Sequence, residues 1–266
     1  MDFTISLYND LIHKFLSHGY KFSCFHESLS GMDGKVIILR HDVDRMPENS
    51  LRLAKLEAES GITGTYFFRT VKESWDEKII KEISSLGHEI GYHYEDIVMA
   101  ASKYPGIREE KELAGIAIRI FRENLDKIRG IAPVKTICMH GSPASQWDSR
   151  LLWKYYNYLD FGLEGEPYFD TDFNTVLYLT DTGRRWNGDS VNVRDKTDRT
   201  SNMGSLQFHT TYEILEALAA DKTPDKIMMN FHPHRWNDPG FLWLREAIWQ
   251  NIKNIGKYLI VSLNRS

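Results

Sequence analysis

Cysteine is scarce in this chain. Only Cys24 and Cys138 occur in 266 residues, which excludes a disulfide framework. Cys138 sits inside an apolar run and reads as a small packed hydrophobe. Long hydrophobic runs are missing too: none approaches the ~18 apolar residues of a membrane span. The opening stretch MDFTISLYNDLIHKFLSHGY has no basic segment followed by an apolar one, so it does not read as a signal peptide. Reduced thiols and a cytoplasmic location are the expectation. Positive charge is not in excess. The formal net charge is −4, which removes the electrostatic case for nucleic acid or an anionic membrane surface. The basic clusters Arg184-Arg185 and Arg194–Arg199 are short and interleaved with acids, as in solvated loops. No G-x-G-x-x-G follows the first strand-like run, so the dinucleotide fingerprint is absent. No short internal repeat occurs.

What is present is an ordinary globular composition, 42% hydrophobic and 26% charged, with strand and helix patterns in alternation. Val36–Leu39 is an unbroken apolar run that suits a strand buried on both faces. Further strands are expected over 63–68, 88–96, 135–139, 176–179, 206–208, 226–231 and 258–261. Helices are expected over 7–16, from Pro47 to Gly61, from a capping box at Ser74 and Glu77 through Leu86 to Gly87, over 108–129, 212–220 and 241–255. Alternation without a linker predicts a single α/β domain over 1–266 with a parallel sheet.

Strand after strand ends in His, Asp or Arg: Arg40–Asp44, Arg69, His93–Asp96, His140, Asp181 and His232–Arg235. Polar tips converging from many strands are the pattern of a barrel's catalytic face. Asp42 and Asp44, two apart, leave an extended chain on the same side. Such a pair repels itself and needs a metal, an arginine or a shared proton to offset it. Asp44 and His93 offer the mixed oxygen and nitrogen donors that suit zinc and its neighbours. His140 or Asp96 would be the third ligand.

In chain order, RHDVD at 40–44, GHEIGYHYED at 87–96, MHGSP at 139–143, YLTDTGRRW at 178–186 and NFHPHRW at 230–236 resemble the motifs of the polysaccharide deacetylase (NodB-homology) superfamily, in a divergent, carbohydrate esterase family 4-like form. The first, second and last are specific in combination; the others are weaker. The resemblance implies a distorted (β/α) barrel with about seven parallel strands. It implies hydrolysis of an acetyl group on a sugar or small saccharide, in surface polysaccharide biosynthesis. Asp42 would be the general base, and Asp44 and His93 would bind a divalent metal, zinc before cobalt, manganese or nickel. His232 would be the general acid, with His234 as its alternative. Two departures stand out. Ile97 occupies the place of the family's second histidine ligand, and the third motif lacks the arginine that normally holds the base.

Beyond that set, Tyr94, Trp147, Trp186 and Trp236 are candidates for stacking on a sugar ring. Arg185 and Arg235 could grip an anionic group, and Asp181 could orient a catalytic side chain. Two rival functions share this barrel: a metal-free C–N hydrolase acting on a small non-sugar amide, and a non-catalytic saccharide binder. The partner in each case is a small molecule or saccharide, and the sequence leaves the oligomeric state open.

Overall fold

The computed structural model describes residues 1–142, 145–186 and 206–251. Seven parallel strands form one sheet: β1 (Lys21–Ser23), β2 (Val36–Val43), β3 (Thr65–Phe68), β4 (Glu89–Tyr94), β5 (Val134–Met139), β6 (Leu177–Thr180) and β7 (Lys226–Phe231). The order is β5-β4-β3-β2-β7-β6, with β1 on the early half of β2. Helices α1 (Ile5–Ser17), α3 (Pro47–Glu59), α4 (Glu77–Ser85), α6 (Glu110–Arg129) and α9 (Thr211–Ala219) are the long connections, with α2 (Phe25–Ser28), α5 (Asp96–Lys103), α7 (Leu152–Tyr155) and α8 (Pro167–Asp170) between them. No helix among the described residues is long and apolar enough to cross a membrane.

Side-chain alternation divides each strand between two environments. On β2, Ile37 and Leu39 face a helix-covered layer with Tyr8, Leu11 and Phe15 of α1. Ile38 points the other way. It packs with Phe67 of β3, Cys138 of β5, Tyr178 of β6 and Met228 of β7, plugged by Phe25 and Phe173. Strands from both ends of the order thus share one inner cluster, so the sheet curls on itself. The ladder does not close: β5 and β6 do not pair among the described residues. The free edge of β5 is met instead by an isolated bridge, Thr136 to Gly165. The expected distorted barrel of about seven parallel strands is thus present as a curled sheet that stays open between β5 and β6 among the described residues. β6 is only four residues long, and the chain before it has already occupied the edge it would need.

Other expectations shift in detail. The stretch 206–208 is not a strand; Phe208 packs in the core, and the exposed His209 donates its backbone N–H to Glu213 at the start of α9. Helix α4 is capped by Asp76, whose carboxylate accepts from Lys78 and Ile79. Ser74 instead bonds across to the Val43 carbonyl. Helix α5 was not expected, nor was β1, whose sequence KFS is too short for a periodic signal. The helix over 241–255 is present from 241 to 251; its remainder, the strand at 258–261, the basic stretch 194–199 and Pro143 lie outside the described residues.

Gly91 of β4 points into the curl. A Cβ there would run into the ring of Phe67, which is fully buried in the inner cluster. Overpacking of this kind costs about 1–3 kcal/mol. Gly91→Ala is expected to lower the urea unfolding midpoint by a corresponding amount, with an unchanged slope.

Candidate active site

The inner face of β2 runs Ile38, Arg40, Asp42 and then Asp44 just past the strand. The inner faces of β4, β5 and β7 lead in the same way to His93, His140 and His232. Parallel strands bring all these tips to one end of the sheet.

Asp42 is 4% exposed. Arg40 grips both its oxygens, Nε on Oδ1 at 2.9 Å and Nη2 on Oδ2 at 2.7 Å, and Asn230 donates to Oδ2 at 3.0 Å. Burial alone would raise the Asp42 pKa, but the Arg40 guanidinium, with His93, holds it well below the usual carboxylate range. Arg40, two residues upstream on the same strand, is thus the clamp that holds the Asp42 carboxylate. Sequence reasoning missed this pairing although the signal was available, because alternate residues of a strand share a face.

Asp44 is the centre of a second group. Its Oδ1 lies 3.2 Å from His140 Nδ1 and 3.6 Å from His93 Nε2, and these two ring nitrogens are 3.2 Å apart. Oδ1 is buried and has no aligned hydrogen-bond donor. His93 Nδ1 lies 3.0 Å from the Cys138 carbonyl. A carbonyl only accepts, so Nδ1 carries the proton and the Nε2 lone pair faces Asp44. Zinc bonds of about 2.0–2.1 Å in a tetrahedron set ligand atoms about 3.3 Å apart. Asp44, His93 and His140 therefore fit such an ion in donor type and spacing, and His93 also in tautomer. A second trio, Asp42, His93 and Cys138, also lies close together, but the charge of Asp42 is already offset by the Arg40 guanidinium. Burial opposes charge on both His93 and Asp44. The carboxylates of Asp42 and Asp44 nonetheless raise the His93 pKa, and the imidazoles of His140 and His93 hold that of Asp44 well down.

His232 completes the rim. Its Nε2 lies 3.9 Å from Asp44 Oδ2. Its Nδ1 donates to Asp181 Oδ1 at 2.6 Å, and its backbone N–H to Oδ2 at 3.0 Å. The buried Asp181 also accepts from Arg235 Nη1 at 2.9 Å and from the Trp236 indole N–H at 2.7 Å. Burial resists its charge, but His232 and Arg235 outweigh it and lower its pKa. The imidazole is thus held in one tautomer with Nε2 toward the site. His234 lies behind it, 4% exposed, and burial pushes its pKa well below the ordinary histidine value.

Several expected residues are elsewhere. Asp96 is fully buried and bonded to the Tyr92 hydroxyl and to Asn124, on the helix-covered side of β4. Of the two expected third ligands, the geometry favours His140. Ile97 is buried among apolar side chains because α5 begins at Asp96 and turns position 97 into the core. Tyr94, Trp186 and Trp236 are core residues whose ring faces are covered by protein, which corrects the stacking expectation for them. Trp147 packs half-buried against the outer core. Arg235 is committed to Asp181 rather than to a ligand, and Arg185 is exposed.

If His140 is the third donor, His140→Ala should cut bound zinc in the purified protein from about one equivalent to below about a tenth. Asp96→Asn should leave it unchanged. Elemental analysis after dialysis checks both.

No protein-family model and no curated protein matches this chain. Among solved structures it is similar to a family 4 carbohydrate esterase from Streptomyces lividans in complex with acetate, at 13% identity and a TM-score of 0.39, covering 85% of this chain and 90% of the other. A Streptococcus mutans CE4 esterase shares 14% identity at a TM-score of 0.41, covering 94% and 91%. A family 4 carbohydrate esterase from Bacillus anthracis shares 13% at 0.37, covering 97% and 91%. Likeness this distant leaves the activity to be argued from the chain's own residues.

Proposed function

We propose that this chain is a divergent polysaccharide deacetylase-type hydrolase that removes an acetyl group from an amino sugar or small saccharide, cleaving an amide C–N bond. The observation that carries the reading is the meeting of Asp42, Asp44, His93, His140 and His232 at one end of the sheet, within hydrogen-bond or near-contact distances. Sugar amides of surface-glycan intermediates are the substrate class in view.

In this reading Asp44, His93 and His140 hold a divalent ion, with zinc the best match to the donors. When bound, it supplies a Lewis acid for the acetyl carbonyl and acidifies water. Asp42 accepts the proton of the attacking water. The clamp by Arg40 keeps Asp42 ionised at neutral pH; it also makes the carboxylate a weak base, so Asp42 suits water that is already acidified. His232, entering the step as the imidazolium, gives its Nε2 proton to the departing nitrogen and is left with the Nδ1 proton that Asp181 holds. Asp44, His140 and His232 keep 20%, 17% and 10% of their side chains exposed, whereas His93 is sealed at 2%. Substrate therefore approaches from the side of the first three.

Acetate release from N-acetylated oligosaccharides tests the proposal. Asp42→Asn is expected to lower kcat by about 10²–10⁴-fold with zinc content unchanged, and His232→Gln should behave similarly. Chelation should abolish turnover and added zinc restore it. Full activity in Asp42→Asn, or turnover that survives chelation in metal-free protein, would overturn the assignment.

A further inference from the structure

Beyond the donor trio, the structure brings together a pair of side chains to which the mechanism gives no role. Glu95 follows β4 and is 5% exposed. Its Oε1 accepts from Arg69 at two points, Nε at 2.8 Å and Nη2 at 2.6 Å. Arg69 follows β3, and its Nη1 donates to the backbone carbonyl of Asp44 at 3.2 Å. The other Glu95 oxygen, Oε2, faces His140 Nε2 at 3.9 Å. That is longer than a direct hydrogen bond, so the contact is electrostatic. The backbone N–H of His140 is fixed separately, on the Tyr94 carbonyl at 2.9 Å.

We propose that Glu95, braced by Arg69, is a positioning residue for a metal ion at Asp44, His93 and His140. The inference rests on the reading of those three residues as ligands. His140 must keep its proton on Nε2 to present the Nδ1 lone pair beside Asp44. A carboxylate opposite Nε2 favours that tautomer and makes the ring a stronger donor, as outer carboxylates do for ligating histidines. His93 has a carbonyl in the same role, that of Cys138. Arg69 joins the parts: one guanidinium orients the Glu95 carboxylate and also tethers the main chain of Asp44. The arrangement suits a chain in which one imidazole ligand comes from β5, because a ligand on a separate strand needs its own support. The Arg69–Glu95 pair, from β3 and β4, reaches across to supply it.

The test measures zinc affinity by competition with a chromophoric chelator, and the visible spectrum of the cobalt(II)-substituted protein, for Glu95→Ala and the near-isosteric Glu95→Gln. Glu95→Ala should weaken zinc binding about 10–100-fold and shift the cobalt bands. Glu95→Gln keeps an oxygen opposite the ring and should lose less than the alanine variant, but at least about threefold. A smaller loss in Glu95→Gln overturns the proposal, and that variant alone decides if Glu95→Ala does not fold. His140→Ala is the control. If it retains wild-type zinc affinity, the ligand assignment itself has failed; if it loses zinc while both Glu95 variants keep theirs, only the positioning role has.

Discussion

Two carboxylates at the end of one buried strand set the terms for the rest of the structure. Asp42 and Asp44 point the same way, and burial penalises charge on both. Left alone, one would take up a proton. The fold gives each a different set of partners. Arg40 and Asn230 hold Asp42 from below and beside, and the imidazoles of His93 and His140 flank Asp44. That division separates the chemistry: one carboxylate is clamped in the interior, and the other is left with an oxygen free to meet a cation.

The opposite face of the same strand is equally constrained. His41 is fully buried, stacked on Tyr66 at a centroid distance of 4.1 Å, with Nε2 at 2.9 Å from Glu57 of α3. Tyr8 of α1 also donates to Glu57. Burial resists a charge on Glu57, but His41 beside it keeps its pKa below the ordinary value. His88 takes a backbone N–H from Gly64 on Nδ1 and gives Nε2–H to the Ala54 carbonyl, so it is neutral, in line with burial lowering its pKa. This cluster ties β2 to α1 and α3, so the strand that presents Arg40 and Asp42 on one side is anchored by polar contacts on the other.

At β7 the same economy recurs. Asn230 serves Asp42, and His232, two residues on, serves the rim. Asp181 gathers His232, Arg235 and Trp236 around a single buried carboxylate. The aromatic rings that might have lined a sugar site are consumed in building this support: Trp236 lies on Tyr8 and Phe231, and Trp186 on Phe3 and Phe231. An aromatic at a strand tip has the same sequence signature whether it packs inward or waits for a ligand, since its large apolar area favours burial either way.

Local pattern was enough to place β2 to β7, the parallel α/β class, and the titratable residues at the strand ends, because strand periodicity and strand-end chemistry are written in neighbouring residues. Arg40 as the clamp on Asp42 was legible by the same rule of alternation. The short β1, the open edge between β5 and β6, the preference for His140 over Asp96, and the burial of Ile97 were not. Each depends on which face of an element meets which neighbour, and that is decided by contacts between residues tens to hundreds of positions apart. The chain by itself named the acids and imidazoles; only the curl of the sheet brought His140, Glu95 and Arg69 to the side of Asp44, because distance in space is set by strand order and not by separation along the sequence.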